Sequence, residues 1–406
     1  MTRRPFMRSE IAFCISMFFA VFGCVGALAD DSITMVLDSF GGARATRAHA
    51  SPYPRLAAEF EPTRALLLGV ADWQPHHREI LIEIADKTAG HVNVMVLCND
   101  TWQIKGTTEW LLESDAKDKS HVYFCEVPLN TVWLRDFGPI FSQTADGASV
   151  LDFYYEGTRP KDDSLPSIWS KRSGAEYVEV PWTVQGGNLI SNGQGLALAT
   201  NRIFEDNHIT FPRPLPGANP EIERRKMVVD QFVKFCNLSQ FVVLEPLTSE
   251  STKHVDMFTT FLTAEDVLVA SLDPSRDPVN AAILNRNAQR LAEVNVGGRP
   301  LRVHRVQIPV RENMSWSAYT NVIIAGDLVL MPIFATDPPD MVAAAMAAYR
   351  LLMPGYTVDT VDMTSMKQLQ GELHCLSLHV PSFAPMPDRI YPFVNSVKAY
   401  FPDQSN

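Results

Sequence analysis

Apolar positions along this chain switch repeatedly between two periods from about Arg55 to the end. Apolar residues at helical spacing predict helices over 76–89, 108–116, 220–236, 277–294, 337–353 and 387–400. The fourth of these opens on Asp277-Pro278, a helix start signal. Between them lie alternating or wholly apolar runs joined by turn residues, which read as hairpins. Four are predicted, turning at Asp146-Gly147, near Asn192-Gly193, near Glu265-Asp266 and at Gly326-Asp327.

Each hairpin is entered through a polar cluster: "WLRDFGP", "VQGGN", "KHVDM" and "AYTN". A fifth cluster, "LHC", opens the strand-like "CLSLHVP" near the end of the chain. With Asp136, Asn188, His254, Asn321 and Cys375 as markers, the intervals are 52, 66, 67 and 54 residues. This is a repeat of architecture rather than of letters, and such a period suggests a propeller or an array of like units. If the units close around an axis, the five clusters face one cavity. The last unit lacks a hairpin partner, and the strand over 65–72 is placed to supply it. The expected fold class is α/β, with one domain over 55–406 because no Ser/Gly linker interrupts that span.

Residues 1–29 are read separately. A basic start, an apolar middle and Ala27-Leu28-Ala29 predict a secretory signal cut after Ala29. A lipid anchor at Cys24 is a second reading, and residues 30–54 read as a linker. The expected location is therefore secreted or periplasmic. No later stretch approaches the ~20 apolar residues that a membrane span needs. Cys98, Cys125, Cys236 and Cys375 remain after the leader. They are too few and too scattered for a disulfide scaffold, although two bridges stay open, and Cys375 is expected to be free.

Composition changes little in this picture. The 406 residues are 46% hydrophobic and 20% charged, enough for a substantial core. A net charge of −11 with no basic stripe argues against nucleic acid as the main partner. It suits a cationic substrate only weakly.

The clusters carry the chemistry. Cys375 with His254 makes a thiol–imidazole pair for nucleophilic catalysis. Asp136 and Asp256 beside a thiolate would repel an oxyanion, but they could grip a planar guanidinium through its fork of N–H groups. Other signatures are missing: there is no G-x-S-x-G, no H-E-x-x-H and no phosphate-binding glycine loop. Taken singly, each residue has a plainer role. Cys375 would be a buried thiol, His254 a structural histidine, "GGN" a turn and Trp133 part of a core. Only recurrence at matching places in five units favours the functional reading.

In this order, "WLRDFGP", "QGGNLISNGQGLALAT", "HVDMF", "YTNVIIAGDLVLMPIF" and "LHC" resemble the agmatine deiminase and bacterial-type (Porphyromonas-type) peptidylarginine deiminase family, over roughly 55–385. The resemblance implies a five-bladed α/β propeller, the pentein fold, and a hydrolase acting on a guanidinium without metal or organic cofactor. It implies that Cys375 attacks the guanidinium carbon, that His254 shuttles protons, and that Asp136 and Asp256 clamp the nitrogens. Asn321, Trp133, Gly186, Gly187 and Asn188 would line the pocket.

Two departures from the agmatine type bear on substrate. Gln185 stands where those members have Glu, and Gly371-Glu372-Leu373 stands where they have paired glycines before His-Cys. The secreted peptidylarginine type grips a terminal carboxylate with two arginines. Arg159 in "GTRPKDD" matches one of them, and Gly157 replaces the other. The expectation is peptidyl- or protein-arginine ahead of agmatine. Two competing classes are a metal-dependent hydrolase using His254, Asp256 and His374, and a silent guanidinium-binding scaffold. In this reading His374 is incidental.

Overall fold

Five sheets share one three-strand arrangement, in which an antiparallel hairpin lends its second strand to a parallel partner. The computed structural model describes residues 54–71, 75–208, 219–311, 316–366 and 372–395, with the backbone of strands Ile33–Leu37 and Ala43–Arg47. The hairpins pair Ile140–Thr144 with Gly147–Tyr154, Ile190–Ser191 with Leu196–Thr200, Thr259–Phe261 with Asp266–Ser271, and Ile323–Ala325 with Leu328–Ile333. Their second strands run parallel to Glu176–Thr183, Gln240–Leu244, Arg302–Gln307 and Thr357–Asp362. All four predicted turns are where the sequence places them.

The fifth sheet joins the two ends of the domain. Ser377–Pro381 lies antiparallel to Thr63–Val70, with Ser377 opposite Leu68, so the early strand does partner the late one. Thr63–Val70 then runs parallel to Val94–Cys98, which runs parallel to Val122–Glu126. Val94–Cys98 (VMVLC) is buried at every position. A continuous apolar run is what a central parallel strand covered on both faces requires.

Helices pack between these sheets. In Pro278–Ala292 the Asp277 carboxylate accepts the Asn280 N–H and Pro278 occupies the first turn. Ile283, Leu284, Ala288 and Leu291 form its buried stripe. The helix predicted over 108–116 starts earlier, at Thr101, because Asp100 caps it by accepting from Gln103 N–H at 2.8 Å.

Two expectations are corrected. The described part of the region 387–400 holds no helix: Ile390–Pro392 is a strand on Val122–Glu126, and residues from 396 lie outside those described. Pro387 and Pro392 flank the segment, and a proline within a helix interior removes a hydrogen bond. Within the stretch read as a linker, Ile33–Leu37 and Ala43–Arg47 pair with each other, and the second adds to Gln240–Leu244. The leader 1–29 lies outside the described residues. Among those described, no helix is long and apolar enough to cross a membrane. All four later cysteines are free and buried, so neither bridge forms.

Gly326 couples distant parts of the fold. It takes φ +63° in its hairpin turn, and a Cβ there would lie 2.3 Å from the carbonyl oxygen of His91. Gly326→Ala is expected to cost about 1–3 kcal/mol through strained backbone and clash together. A lowered midpoint in thermal or urea unfolding would register it, and an unchanged midpoint would refute the close approach.

Candidate active site

Each polar cluster folds as a tight turn directly before the first strand of its unit. Trp133 precedes the helical turn Leu134–Phe137, which presents Asp136. Gln185 precedes the 3-10 turn Gly186–Asn188, and His254 precedes the 3-10 turn Val255–Met257, which presents Asp256. Asn321 and Cys375 lie in the turns that enter Ile323–Ala325 and Ser377–Pro381. Short turns suit this task because their polar backbone groups are free to bond across to a neighbour.

They do so in sequence around the site. Arg135 N–H donates to the Cys375 carbonyl at 3.2 Å, and His374 N–H reaches Asn321 Oδ1 at 2.9 Å. Asn321 Nδ2 reaches the Asp256 carbonyl at 3.4 Å, and Val255 N–H donates to Asn188 Oδ1 at 3.2 Å. The Gly187 N–H donates to the Asp136 carboxylate and completes the chain. Five segments distant in sequence are thus tied side to side.

Cys375 is 3% exposed and packs against Met257, Ala318 and Trp133. Its Sγ lies 3.7 Å from the Asn321 amide. Burial raises the thiol pKa well above its ordinary value, and the carboxylates of Asp256 and Asp136 raise it further. His254 donates from Nε2 to Gln185 Oε1 at 2.8 Å, which leaves Nδ1 as the lone-pair nitrogen. That Nδ1 is 3.6 Å from Asp136 Oδ1. Burial lowers the His254 pKa to about 4, so its ring is neutral at neutral pH. Asp136 is pushed up to about 7 by burial, with the Asp256 charge adding to the effect.

Three buried polar atoms of this group have no hydrogen-bond partner: Asp136 Oδ1, Asp256 Oδ1 and His254 Nδ1. The three residues that carry them, His254, Asp256 and Asp136, lie against Gly187. A Cβ at that residue would lie 2.6 Å from His254 Nδ1, 2.9 Å from Asp256 Oδ2 and 3.0 Å from Asp136 Oδ1. Buried acceptors left open cost free energy unless a donor reaches them. Three acceptors beside a thiol make a receptor for a group that is all N–H donors.

Other predicted residues sit differently. Asn188 spends its carbonyl on Thr200 N–H at 2.9 Å and on Val255 N–H, so it joins loops together. Arg159 donates to Tyr155 Oη at 2.8 Å and pairs with Glu156 at 3.6 Å. Glu372 is buried and accepts the Ala318 N–H at 2.9 Å, with its pKa pushed up to about 8 by burial.

His374 is anything but incidental: its Nδ1 is 2.8 Å from Asp256 Oδ2 and its Nε2 is 3.7 Å from Glu59 Oε1. Glu59 itself was missed. It precedes the strand Thr63–Val70, outside the repeating pattern, and carries no local motif. For the metal-hydrolase alternative, His374 has both nitrogens turned to carboxylates. Among the described residues no group of three His, Cys, Asp or Glu side chains is arranged to hold a metal ion.

Comparison with known proteins places the fold and the family. The chain is 21% identical over 311 residues to the agmatine deiminase of Stutzerimonas stutzeri, covering 68% of this chain and 81% of that one. Among solved structures, the agmatine deiminase of Enterococcus faecalis superposes with a TM-score of 0.64 at 18% identity, covering 82% of this chain and 98% of the other. That of C. jejuni gives 0.64 at 17%, covering 86% and 99%. At such identities these structures bear on the fold, which is the α/β architecture of the deiminases. Residues 55–381 match the family description itself, so this chain belongs to the Porphyromonas-type peptidyl-arginine deiminase family, hydrolases acting on the C–N bonds of amidines.

Proposed function

We propose that this protein deiminates a guanidinium group through a covalent adduct on Cys375. The observation that carries the reading is the set of open acceptors on Asp136, Asp256 and His254 around Gly187, next to the buried thiol. A guanidinium would donate to Asp136 Oδ1 and Asp256 Oδ1 and present its carbon to Sγ. Charge-assisted contacts of this kind fix a planar cation in register. The bound cation also offsets the two carboxylates that hold the thiol protonated.

As sulfur adds to the guanidinium carbon, the thiol proton passes to the neutral Nδ1 of His254. The same proton then leaves with the departing nitrogen as ammonia, and the C–N bond breaks to give a thiouronium. Water adds next, with His254 taking its proton, and collapse of the adduct releases the ureido product and restores the thiol. The alternation of Asp136, Gly187, Asp256 and Cys375 on like units favours a five-bladed propeller of the pentein type around this site. An exported location belongs to the same proposal and rests on the leader alone.

For substrate, we favour agmatine, which reverses the order expected from the sequence. The relatives named above act on agmatine. The two departures that argued against it are both absorbed internally: Gln185 serves His254, and Glu372 serves Ala318. Arg159, the candidate carboxylate grip, is engaged by Tyr155 and Glu156. Peptidyl-arginine is the second reading, favoured by the family match over 55–381.

Ammonia release from agmatine, free arginine, and peptides with internal or C-terminal arginine separates these readings. We expect agmatine to give the highest kcat/KM. A peptide preference would select the second reading, and no release from any of them would sink both. The pH profile has a defined sign. Asp136 must be ionised to accept the cation, and burial pushes it up to about 7. Below that pH, kcat/KM for agmatine should fall about tenfold per unit, and a flat profile from pH 5 to 7 would contradict the assignment.

A further inference from the structure

The geometry points to His374 as a positioning residue: a doubly held imidazolium that aims Asp256 at the substrate and offsets the carboxylates crowding Cys375. This inference rests on the deiminase reading above.

The argument begins with the ring nitrogens. Nδ1 lies 2.8 Å from Asp256 Oδ2, and Nε2 lies 3.7 Å from Glu59 Oε1. Nδ1 is within hydrogen-bond range of its acceptor and Nε2 faces the other at ion-pair distance, an arrangement that a doubly protonated ring satisfies. His374 is 4% exposed, and Asp256 is 2% exposed. Burial and the neighbouring Arg135 oppose that charge, while Asp256 and Glu59 outweigh them and raise the His374 pKa. Glu59 is fixed in turn, by Arg135 Nη1 at 2.6 Å and by His379 Nδ1 at 2.9 Å. Its own pKa is held well below the ordinary range: burial opposes this, and Arg135 and His379 prevail.

Two consequences follow for the reacting atoms. Because Asp256 Oδ2 accepts from His374, the carboxylate cannot rotate freely, and Oδ1 is the oxygen left open. The backbone N–H of His374 holds Asn321 Oδ1 at 2.9 Å, and this keeps the Asn321 amide 3.7 Å from Cys375 Sγ. The charged and titratable groups around His374 are Asp256, Glu59, Arg135 and His254, with Cys375 as its chain neighbour. Removing one positive charge from this set leaves Asp136, Asp256 and Glu59 less compensated. The thiolate then becomes harder to form.

Two substitutions separate aim from charge. His374→Asn keeps a donor near the Nδ1 position and removes the charge. We expect KM for agmatine to stay within about threefold and kcat to fall roughly tenfold to a hundredfold, the worth of one charge-assisted interaction. His374→Ala removes both, so KM should rise as well. The second readout needs no turnover: alkylation of Cys375 by iodoacetamide across pH, followed by mass spectrometry of its peptide. In His374→Asn the alkylation midpoint should move up by about one pH unit.

If the midpoint is unmoved or moves down, and kcat/KM stays within twofold of wild type, the inference is wrong. His374→Gln, neutral and donating near the Nε2 position, gives the same alkylation test should the Asn variant fail to fold. If wild type releases no ammonia from any guanidinium compound, the deiminase reading falls, and the alkylation arm still decides the role of His374.

Discussion

Cys375→Ala should abolish ammonia release, with a loss of at least about 10⁴-fold in kcat, while agmatine binding measured by calorimetry stays within about tenfold. The thiol is the one nucleophile at the meeting point of the five turns, packed by Met257, Ala318 and Trp133. Among the described residues the other three cysteines are buried in the hydrophobic cores, where Cys98 and Cys125 lie in parallel strands and Cys236 caps a helix. Burial raises each of their thiol pKa values, that of Cys236 to about 12, so none can substitute as a thiolate. Binding survives because the cation is held by Asp136 and Asp256, not by sulfur. Residual turnover above a thousandth of wild type would move the nucleophile elsewhere.

Gly187→Ala is expected to be nearly as damaging, by roughly 10³-fold in kcat/KM, through exclusion and not through loss of a functional group. The added methyl would occupy the space between His254 Nδ1, Asp256 Oδ2 and Asp136 Oδ1, at 2.6, 2.9 and 3.0 Å. They belong to the side chains that would receive the guanidinium, and a displacement of about 1 Å at a reacting centre can cost about a hundredfold by itself. Backbone strain does not enter, since the glycines with positive φ do not include Gly187. Circular dichroism and the unfolding midpoint should therefore change little. A Gly187→Ala enzyme with near-normal kcat/KM would show that substrate does not enter between the two aspartates.

The same two residues show how far sequence reading reaches. Cys375 and Gly187 were both legible, because each stands at a matching place in a repeated pattern: polar cluster, turn, apolar strand. The period-2 strands and turn glycines are local properties, so the hairpins at Gly147, Gly193, Asp266 and Gly326 could be placed from residue type alone. The partnership of 65–72 with the strand after Cys375 was also legible, since one strand lacked a partner and one apolar run lacked a hairpin.

The substrate argument reached less far, and the reason is physical. Gln185 and Glu372 were taken to bear on substrate because they differ from the agmatine type. Whether a polar side chain faces a ligand or a neighbouring backbone depends on side-chain direction in the assembled site, which residue type does not specify. Both turn inward, onto His254 and the Ala318 N–H.

The sequence by itself determined the α/β class, the hairpin register, the order of the units and the residue types at the reactive centre, because these follow from local periodicity and turn chemistry. Only the tertiary structure decided that His374 bridges Asp256 and Glu59, that Asn188 and Arg159 make protein contacts, and that the carboxylates of Asp136 and Asp256, each with one open oxygen, flank Gly187. Those facts join residues as far apart as Glu59 and His374. Their physical basis is burial: a carboxylate or imidazole removed from water must find a partner wherever the fold brings one.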